Sequence, residues 1–313
     1  MLAMPTVSII MNCLNCADVL PAALAGVQAQ TLQDWEIVFW DNASTDASPR
    51  IARSFGPKLR YFRAEKTVAL GAARNLALRE AKGRYIAFLD CDDLWLDTKL
   101  AAQVVLFEAN PRLGLACTDT EIFTGARTLN RVFAQAAPAR GRVFGELMQR
   151  QWISMSSAML RTQALHSLDH WFDEHLNLCE EADLFYRIAH DWELDYVDAP
   201  LTRWRVHGAN TTFKKFGQFA QETLYILDKH RRIYPFYEEE HRALVDMLTR
   251  RAAFQRSVAL WRDGRGAEAR KTIAPYAGSS MKFRLFRAAS YLPGSLFDIV
   301  ARLYFALPGW LRR

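Results

Sequence analysis

The sequence predicts an α/β fold: a mostly parallel central sheet flanked by helices, followed by an α-helical C-terminal region. Three observations predict it. Short β-branched or aromatic runs alternate with amphipathic segments through the first 120 residues, the pattern of successive βαβ units. Three of the runs end in acids, at Asp41/Asp46, at Asp90/Asp92/Asp93 and at Asp119, and in open α/β sheets ligands bind beyond the carboxyl ends of the strands. From Phe213 onward the strand signals fade and only helical periodicity remains.

Taken in order, residues 6–11 (TVSIIM) form an apolar first strand, broken by Asn12-Cys13-Leu14-Asn15. Residues 17–30 place Val19, Leu20, Ala23, Leu24 and Val27 on one helical face. Residues 35–40 (WEIVFW) are the second strand. A turn-forming run follows, in which Ser44 or Asp46 caps the next helix. Residues 59–63 are a third strand. A helix opening at Gly71 carries Arg74 and Asn75, and Lys82-Gly83 stops it. Residues 85–89 are a buried strand running straight into Asp90-Cys91-Asp92-Asp93. Carboxylates this close repel one another, and a hard divalent cation relieves the conflict. A helix over 96–109, a strand over 113–118, a loop over 125–141 and a strand over 154–160 come next. The next helix opens on Glu180, Glu181 and Asp183, where the macrodipole favours acids, and strands at 194–197 and 203–207 close the region. The composition shift puts a domain boundary near Thr212, giving units 1–212 and 213–313, the second with helices over 216–234, 238–264 and 267–276.

The 313 residues, half of them hydrophobic, suffice for one large or two medium domains. The opening residues lack the basic and apolar regions of a signal peptide, and no apolar run is long enough to span a membrane. Five scattered cysteines fit a reducing compartment; Cys13 and Cys16 have the spacing of half a metal or redox site, with no second pair to complete it. The net charge of +6 is uneven: up to Glu240 there are 26 Lys and Arg against 30 Asp and Glu, and from His241 on 14 against 4. The acidic part suits a cation-bridged anionic substrate. The basic tail, rich in Phe, Leu, Tyr and Trp after Met281, reads as an interfacial helix pair docking on anionic lipid; the alternative is a solvated or dimerising helical surface. No nucleic-acid-binding module is recognisable.

The motifs VSIIMNCLN, QAQTLQDWEIVFWDNASTDAS, ARNLAL, GRYIAFLDCDDLW, CEEADLFYRIA and RWRVHGANT, in this order over residues 6–210, resemble the family 2 inverting glycosyltransferases of GT-A (Rossmann-like) fold. The resemblance implies a nucleotide-sugar site in which Asp41 meets the base, Asp46 and Asn15 belong to the same pocket, Arg74 reaches base or diphosphate, and Asp90 contacts the ribose. It implies Mn2+ or Mg2+ held through Asp92 and Asp90, with His207 near the metal and diphosphate. The family's base is the second acid of a Glu-Asp pair; here the pair is Glu180-Glu181, so Glu181 takes that place, with Glu180 and Asp183 as neighbouring candidates. The implied activity is metal-assisted transfer, with inversion, from a nucleotide diphosphate sugar, UDP-linked, to a glycan or lipid-linked acceptor. Its setting is cell-surface lipopolysaccharide, capsule or exopolysaccharide synthesis in the cytoplasm or at the inner face of the membrane. The alternative is a nucleotide-sugar-binding or scaffold protein of this fold that has lost turnover.

Overall fold

A computed structural model describes residues 4–134, 136–206, 215–278 and 280–296. The chain divides into two compact units, Met1–Gly208 and Ala209–Arg313. The predicted α/β architecture is present in the first. Its strands are β1 (Val7–Cys13), β2 (Trp35–Asp41), β3 (Leu59–Arg63), β4 (Tyr85–Phe88), β5 (Leu94–Trp95), β6 (Leu113–Thr124), β7 (Arg127–Arg131), β8 (Met159–Arg161) and β9 (Glu193–Arg205). They form one sheet in the order β3-β2-β1-β4-β8-β6-β9-β5, with β7 paired to β6. Its helices are α1 (Leu20–Gln28), α2 (Ser48–Arg53), α3 (Leu70–Arg79), α4 (Lys99–Ala109), α5 (Phe144–Gln149), α6 (Thr162–His166) and α7 (Glu180–Asp191).

Within this sheet β3, β2, β1 and β4 are parallel, and β1 and β2 are almost wholly buried, as their predominantly apolar sequences require. The remaining half is mixed: β8 runs antiparallel to β4 and β6, whereas β6 and β9 are parallel. The chain leaves β1 towards β2 and β3, then returns to place β4 on the other side of β1. The crevice outside the carboxyl ends of β1 and β4 is therefore the topological switch point, where ligands of such sheets bind.

Several expectations are revised. Residues 125–141 are not all loop: β7 forms a hairpin with β6 through Gly125-Ala126, with Gly125 at φ 57°, the backbone such a tight turn requires. The strands expected at 194–197 and 203–207 are one strand, β9, whose register against β6 shifts between Thr118 and Thr120, so that the stretch around Pro200 bulges instead of breaking the strand. The strand expected at 154–160 begins with a 3-10 turn, Met155–Ser157, and pairs only over β8.

The second unit contains α8 (Phe216–Ile233), α9 (Tyr237–Glu240), α10 (Arg242–Arg262), α11 (Gly266–Ile273) and α12 (Met281–Ala289). Val258, Trp261, Ala269, Ile273 and Phe286 form its own core, with Phe254 and Phe283 packed against it. Phe283 and Phe286, expected on an interfacial face, are thus spent on this core, while Leu285, Tyr291 and Leu292 stay exposed. Residues 297–313 of the expected interfacial pair lie outside the described residues. Among the described residues no helix is long and apolar enough to cross a membrane.

Gly83 does not cap α3 in a left-handed conformation, because that helix ends earlier, at Arg79. It serves instead as a close-approach point. A Cβ there would lie 2.4 Å from the Ser8 nitrogen and 2.8 Å from the Val7 carbonyl carbon, and the Gly83 and Lys82 N–H groups donate to Ser8 Oγ at 2.8 and 3.0 Å. Backbone atoms cannot yield to a methyl group as a flexible side chain can. Gly83→Ala is expected to destabilise the chain by about 2 kcal/mol, seen as a lower urea midpoint at unchanged slope.

Candidate active site

The acids after β4 sort themselves by alternation. Asp90 and Asp92 keep a solvent-facing edge, whereas Cys91 and Asp93 turn inward. Asp93 is a structural acid. Its carboxylate accepts hydrogen bonds from Ser156 Oγ at 2.6 Å and the Arg205 N–H at 3.0 Å, and burial, aided by the charge on Asp90, pushes its pKa well above the usual carboxylate range. The same Ser156 hydroxyl accepts from the Asp90 N–H at 3.1 Å, and the Asp92 carbonyl accepts from Arg205 Nε at 2.8 Å. The backbone beneath Asp90 and Asp92 is therefore fixed from both sides. Ser156 lies in no motif that would have singled it out, and Arg205 lies in RWRVHGANT without having been singled out there.

Arg74 lies across from these acids, one turn into α3, with its side chain only 3% exposed. One guanidinium nitrogen donates to Asp90 Oδ1 and the other to Glu180 Oε1, both at 3.1 Å. Burial opposes the charged form, but Asp90, Glu181 and Glu180 together hold the Arg74 pKa above its ordinary value. Asn75 reinforces the contact: its amide donates to the Phe172 carbonyl and accepts from the Phe172 N–H, both at 2.9 Å, tying α3 to the segment that leads into α7. The ARN motif thus joins the turn after β4 to the first turn of α7.

That first turn presents three acids in three environments. Glu180 is buried against Arg74. Asp183 is fully buried and ion-paired to Arg187 at 2.9 Å, while Arg187 also donates to the carbonyls of His170 and Trp171. Asp183 therefore anchors α7 to the preceding loop instead of joining Arg74 and Asp90, and the structure separates it from the other candidates. Glu181 keeps a partly exposed edge. Burial pushes its carboxyl up to about 8; Arg74 pulls it down, and the charges on Glu180 and Asp90 push it up further. The raised value comes from crowding by protein and by like charges.

The residues expected on the nucleotide side cluster at the ends of β1 and β2. Asn15 sits at φ 56°, which asparagine tolerates better than most residues, and its Oδ1 accepts from the Thr45 and Asp46 N–H groups at 2.7 and 3.3 Å. Although burial opposes it, N–H donation from Ser48 and Ala17 holds Asp46 below the usual carboxylate range. Asp41 is wholly buried at the end of β2. It accepts from the Ser44 N–H at 2.8 Å, from the Tyr61 hydroxyl and from Arg63. Its carboxylate organises the loop and is covered by Arg63, whose side chain is 42% exposed. Local sequence pattern alone misses this partner. Its signal lies in the sheet register, since Asp41 pairs with Arg63 across β2 and β3.

Asp119, expected among the acids at the strand ends, is not a strand-end ligand, because β6 runs on to Thr124. Its carboxylate accepts from the Thr120 and Phe133 N–H groups and is ion-paired to Arg131 at 2.6 Å. His207, expected near the metal, lies outside the described residues.

The fit of this site to a divalent cation rests on its donor set. Asp90 and Asp92 offer hard carboxylate oxygens on one edge, with Asp90 38% exposed and bonded to Arg74 through Oδ1. Two carboxylates suit Mg2+ or Mn2+ that completes its shell with water and substrate phosphate oxygens.

Comparison with known proteins agrees with this architecture. The model for "Glycosyl transferase family 2" matches residues 8–165. The UDP-Glc:alpha-D-GlcNAc-diphosphoundecaprenol beta-1,3-glucosyltransferase WfaP of Escherichia coli is 40% identical over 107 residues, which cover 34% of this chain and 42% of WfaP. The structure of S. aureus TarS 1-349 in complex with UDP-GlcNAc superposes with a TM-score of 0.58 at 15% identity, covering 95% of this chain and 92% of that one. The mannosyltransferase PcManGT from Pyrobaculum calidifontis, in complex with GDP-Man and Mn2+, gives 0.60 at 18% identity over 98% and 89% of the two chains. At these identities the two structures speak for the fold alone. The matched part amounts to as little as 31% and as much as 79% of the lengths of the curated relatives. With a family match over residues 8–165, that is half of the chain, and the GT-A architecture around Arg74, the chain belongs to glycosyl transferase family 2.

Proposed function

We propose that the chain transfers a sugar from a nucleotide diphosphate sugar, UDP-linked, to a hydroxyl of a lipid-linked glycan acceptor, with inversion at the anomeric carbon. The observation that carries this reading is the Arg74 bridge, which holds the exposed Asp90 and the first turn of α7 in one site beside Glu181. The activity of WfaP supports a UDP-sugar donor and a lipid-linked acceptor, and the UDP-GlcNAc complex of TarS supports the same nucleotide. Such an acceptor places the reaction at a membrane surface in cell-surface glycan synthesis, and the basic second unit supplies charge suited to anionic headgroups.

Asp90 and Asp92 would hold Mn2+ or Mg2+, and the Mn2+ complex of PcManGT supports that assignment. When bound, the ion supplies Lewis-acid neutralisation of the diphosphate. Asn15, Asp46 and the loop clasped by Asp41 form the nucleotide side, and the base reaches Asp41 when Arg63 swings out. Arg74 fixes the orientation of Asp90 and turns Glu180 away from the acceptor. Glu181 then takes the proton from the acceptor hydroxyl as its oxygen attacks the anomeric carbon opposite the leaving diphosphate. An elevated carboxyl pKa suits a base that must operate near neutrality.

Asp92→Asn is expected to abolish divalent-cation-dependent transfer, assayed with UDP-sugars in Mn2+. Glu181→Gln should bind UDP normally yet lose at least about a hundredfold in kcat; transfer at the wild-type rate would remove Glu181 from the mechanism. Glu181 acts only when deprotonated, so kcat/KM should rise with pH towards a midpoint near about 8, and this limb should vanish in Glu181→Gln. Arg74→Met leaves Glu180 buried without its cation, and calorimetry should show a loss of about 3 kcal/mol along with weaker donor binding.

A further inference from the structure

The half-site spacing of Cys13 and Cys16 gains a third member in the folded chain. Cys13 ends β1, Cys16 lies in the loop that follows, and Cys91 sits between Asp90 and Asp92 beyond β4. The thiol sulfurs of all three lie within 4.8 Å of one another, and none is in a disulfide. We propose that Cys13, Cys16 and Cys91 form a binding site for a thiophilic d10 cation such as Zn2+, separate from the carboxylate site of Asp90 and Asp92.

The alternation that turns Asp90 and Asp92 to the solvent-facing edge turns the Cys91 thiol inward, so the carboxylates and one member of the sulfur set stand back to back on one short turn. Zn–S bonds of about 2.3 Å place sulfurs about 3.8 Å apart around a tetrahedral ion. A closure of at most about one ångström therefore brings all three into coordination. Cys16 can make it by rotation of its partly exposed side chain, while its N–H stays bonded to Ser48 Oγ at 3.0 Å. The thiols' present contacts are weak: Cys91 donates to the Asn12 carbonyl at 3.3 Å, Cys16 to the Leu14 carbonyl at 3.5 Å, and Cys13 Sγ stands 3.9 Å from Ser44 Oγ. Binding replaces three S–H bonds by three metal–sulfur bonds and releases three protons to solvent, with no change of oxidation state. Three sulfur ligands leave the fourth position to water.

Ligand chemistry keeps the two sites apart. Thiolates select zinc and other soft cations, whereas carboxylates and phosphates select Mg2+ and Mn2+. The placement also gives the sulfur site a structural consequence. It ties the end of β1 to the end of β4 on either side of the switch-point crevice, so occupancy braces the Asn15 loop against the turn carrying Asp90 and Asp92.

The test titrates Zn2+ into the full-length reduced chain in excess Mg2+, with retained metal measured after dialysis and melting followed in parallel. The expected result is one retained Zn2+ per chain, a raised Tm by mass action, and zinc-dependent protection of Cys16, the partly exposed thiol, from iodoacetamide, mapped by mass spectrometry. Cys16→Ser, at the partly exposed position, should lose at least about tenfold in Zn2+ affinity, a shift of about 1.4 kcal/mol, whereas Asp92→Asn should retain the metal. Equal Zn2+ uptake by wild type and Cys16→Ser, loss of uptake in Asp92→Asn, or absence of zinc-dependent protection of Cys16 in the wild-type chain would each overturn the proposal. The alkylation measurement needs no variant, so a folding defect in Cys16→Ser cannot obscure the answer.

Discussion

A buried guanidinium between two carboxylates holds the two halves of this site in register. Asp90 comes from the strand side and Glu180 from a helix much later in the chain; both point at Arg74. Without the cation the two acids would repel each other and Glu181 beside them. Without the acids the cation would be stranded in the interior at a cost of several kcal/mol. Each group is tolerable only because the others are present, so the position of α7 relative to the turn after β4 is set by electrostatics as much as by packing. The paired hydrogen bonds of Asn75 to Phe172 add direction to that attraction.

Around this bridge, environment assigns each acid its work. Asp41, Asp119 and Asp183 are buried, and each is matched to an arginine: Arg63, Arg131 and Arg187. They organise loops and anchor a helix. Asp93 has backbone and hydroxyl donors in place of a cation and keeps a strongly raised pKa. Asp90, Asp92 and Glu181 are the acids that retain an exposed edge at the crevice. Among carboxylates in such numbers, exposure and pairing separate scaffold from chemistry more sharply than sequence position does.

The parallel half of the sheet was legible because its inner strands are buried on both faces and their sequences are predominantly apolar, as in TVSIIM and WEIVFW. The second half was less legible. The strand β7 is exposed along its whole length and reads as polar loop, and β9 carries Pro200 through a bulge, so its two ends looked like separate strands. The same limit applies at the site. Asp90, Asp92, Arg74 and Glu181 sit in motifs that announce themselves, but Arg63 and Ser156 act through register and tertiary approach, which no local spacing records. Asp183 shared a first turn with Glu181 in sequence, yet one helical step carries it to the opposite, arginine-lined side. Cys91 lies far from Cys13 and Cys16 along the chain, and only the pairing of β1 with β4 brings it to them.

The Arg74 bridge is also uneven in time. Its contact with Asp90 spans 16 residues and its contact with Glu180 spans 106. Local contacts form early and distant ones late, because a longer loop must close first. A chain still being synthesised can therefore assemble β1 to β4 and seat Asp90 on Arg74 before α7 exists. Until then Glu181 lacks the burial and the neighbouring charges that raise its carboxyl. That environment arises only when the helix docks, so a truncated or half-folded chain can seat Asp90 on Arg74 while lacking it. Completion of the fold and the shift of Glu181 are the same event.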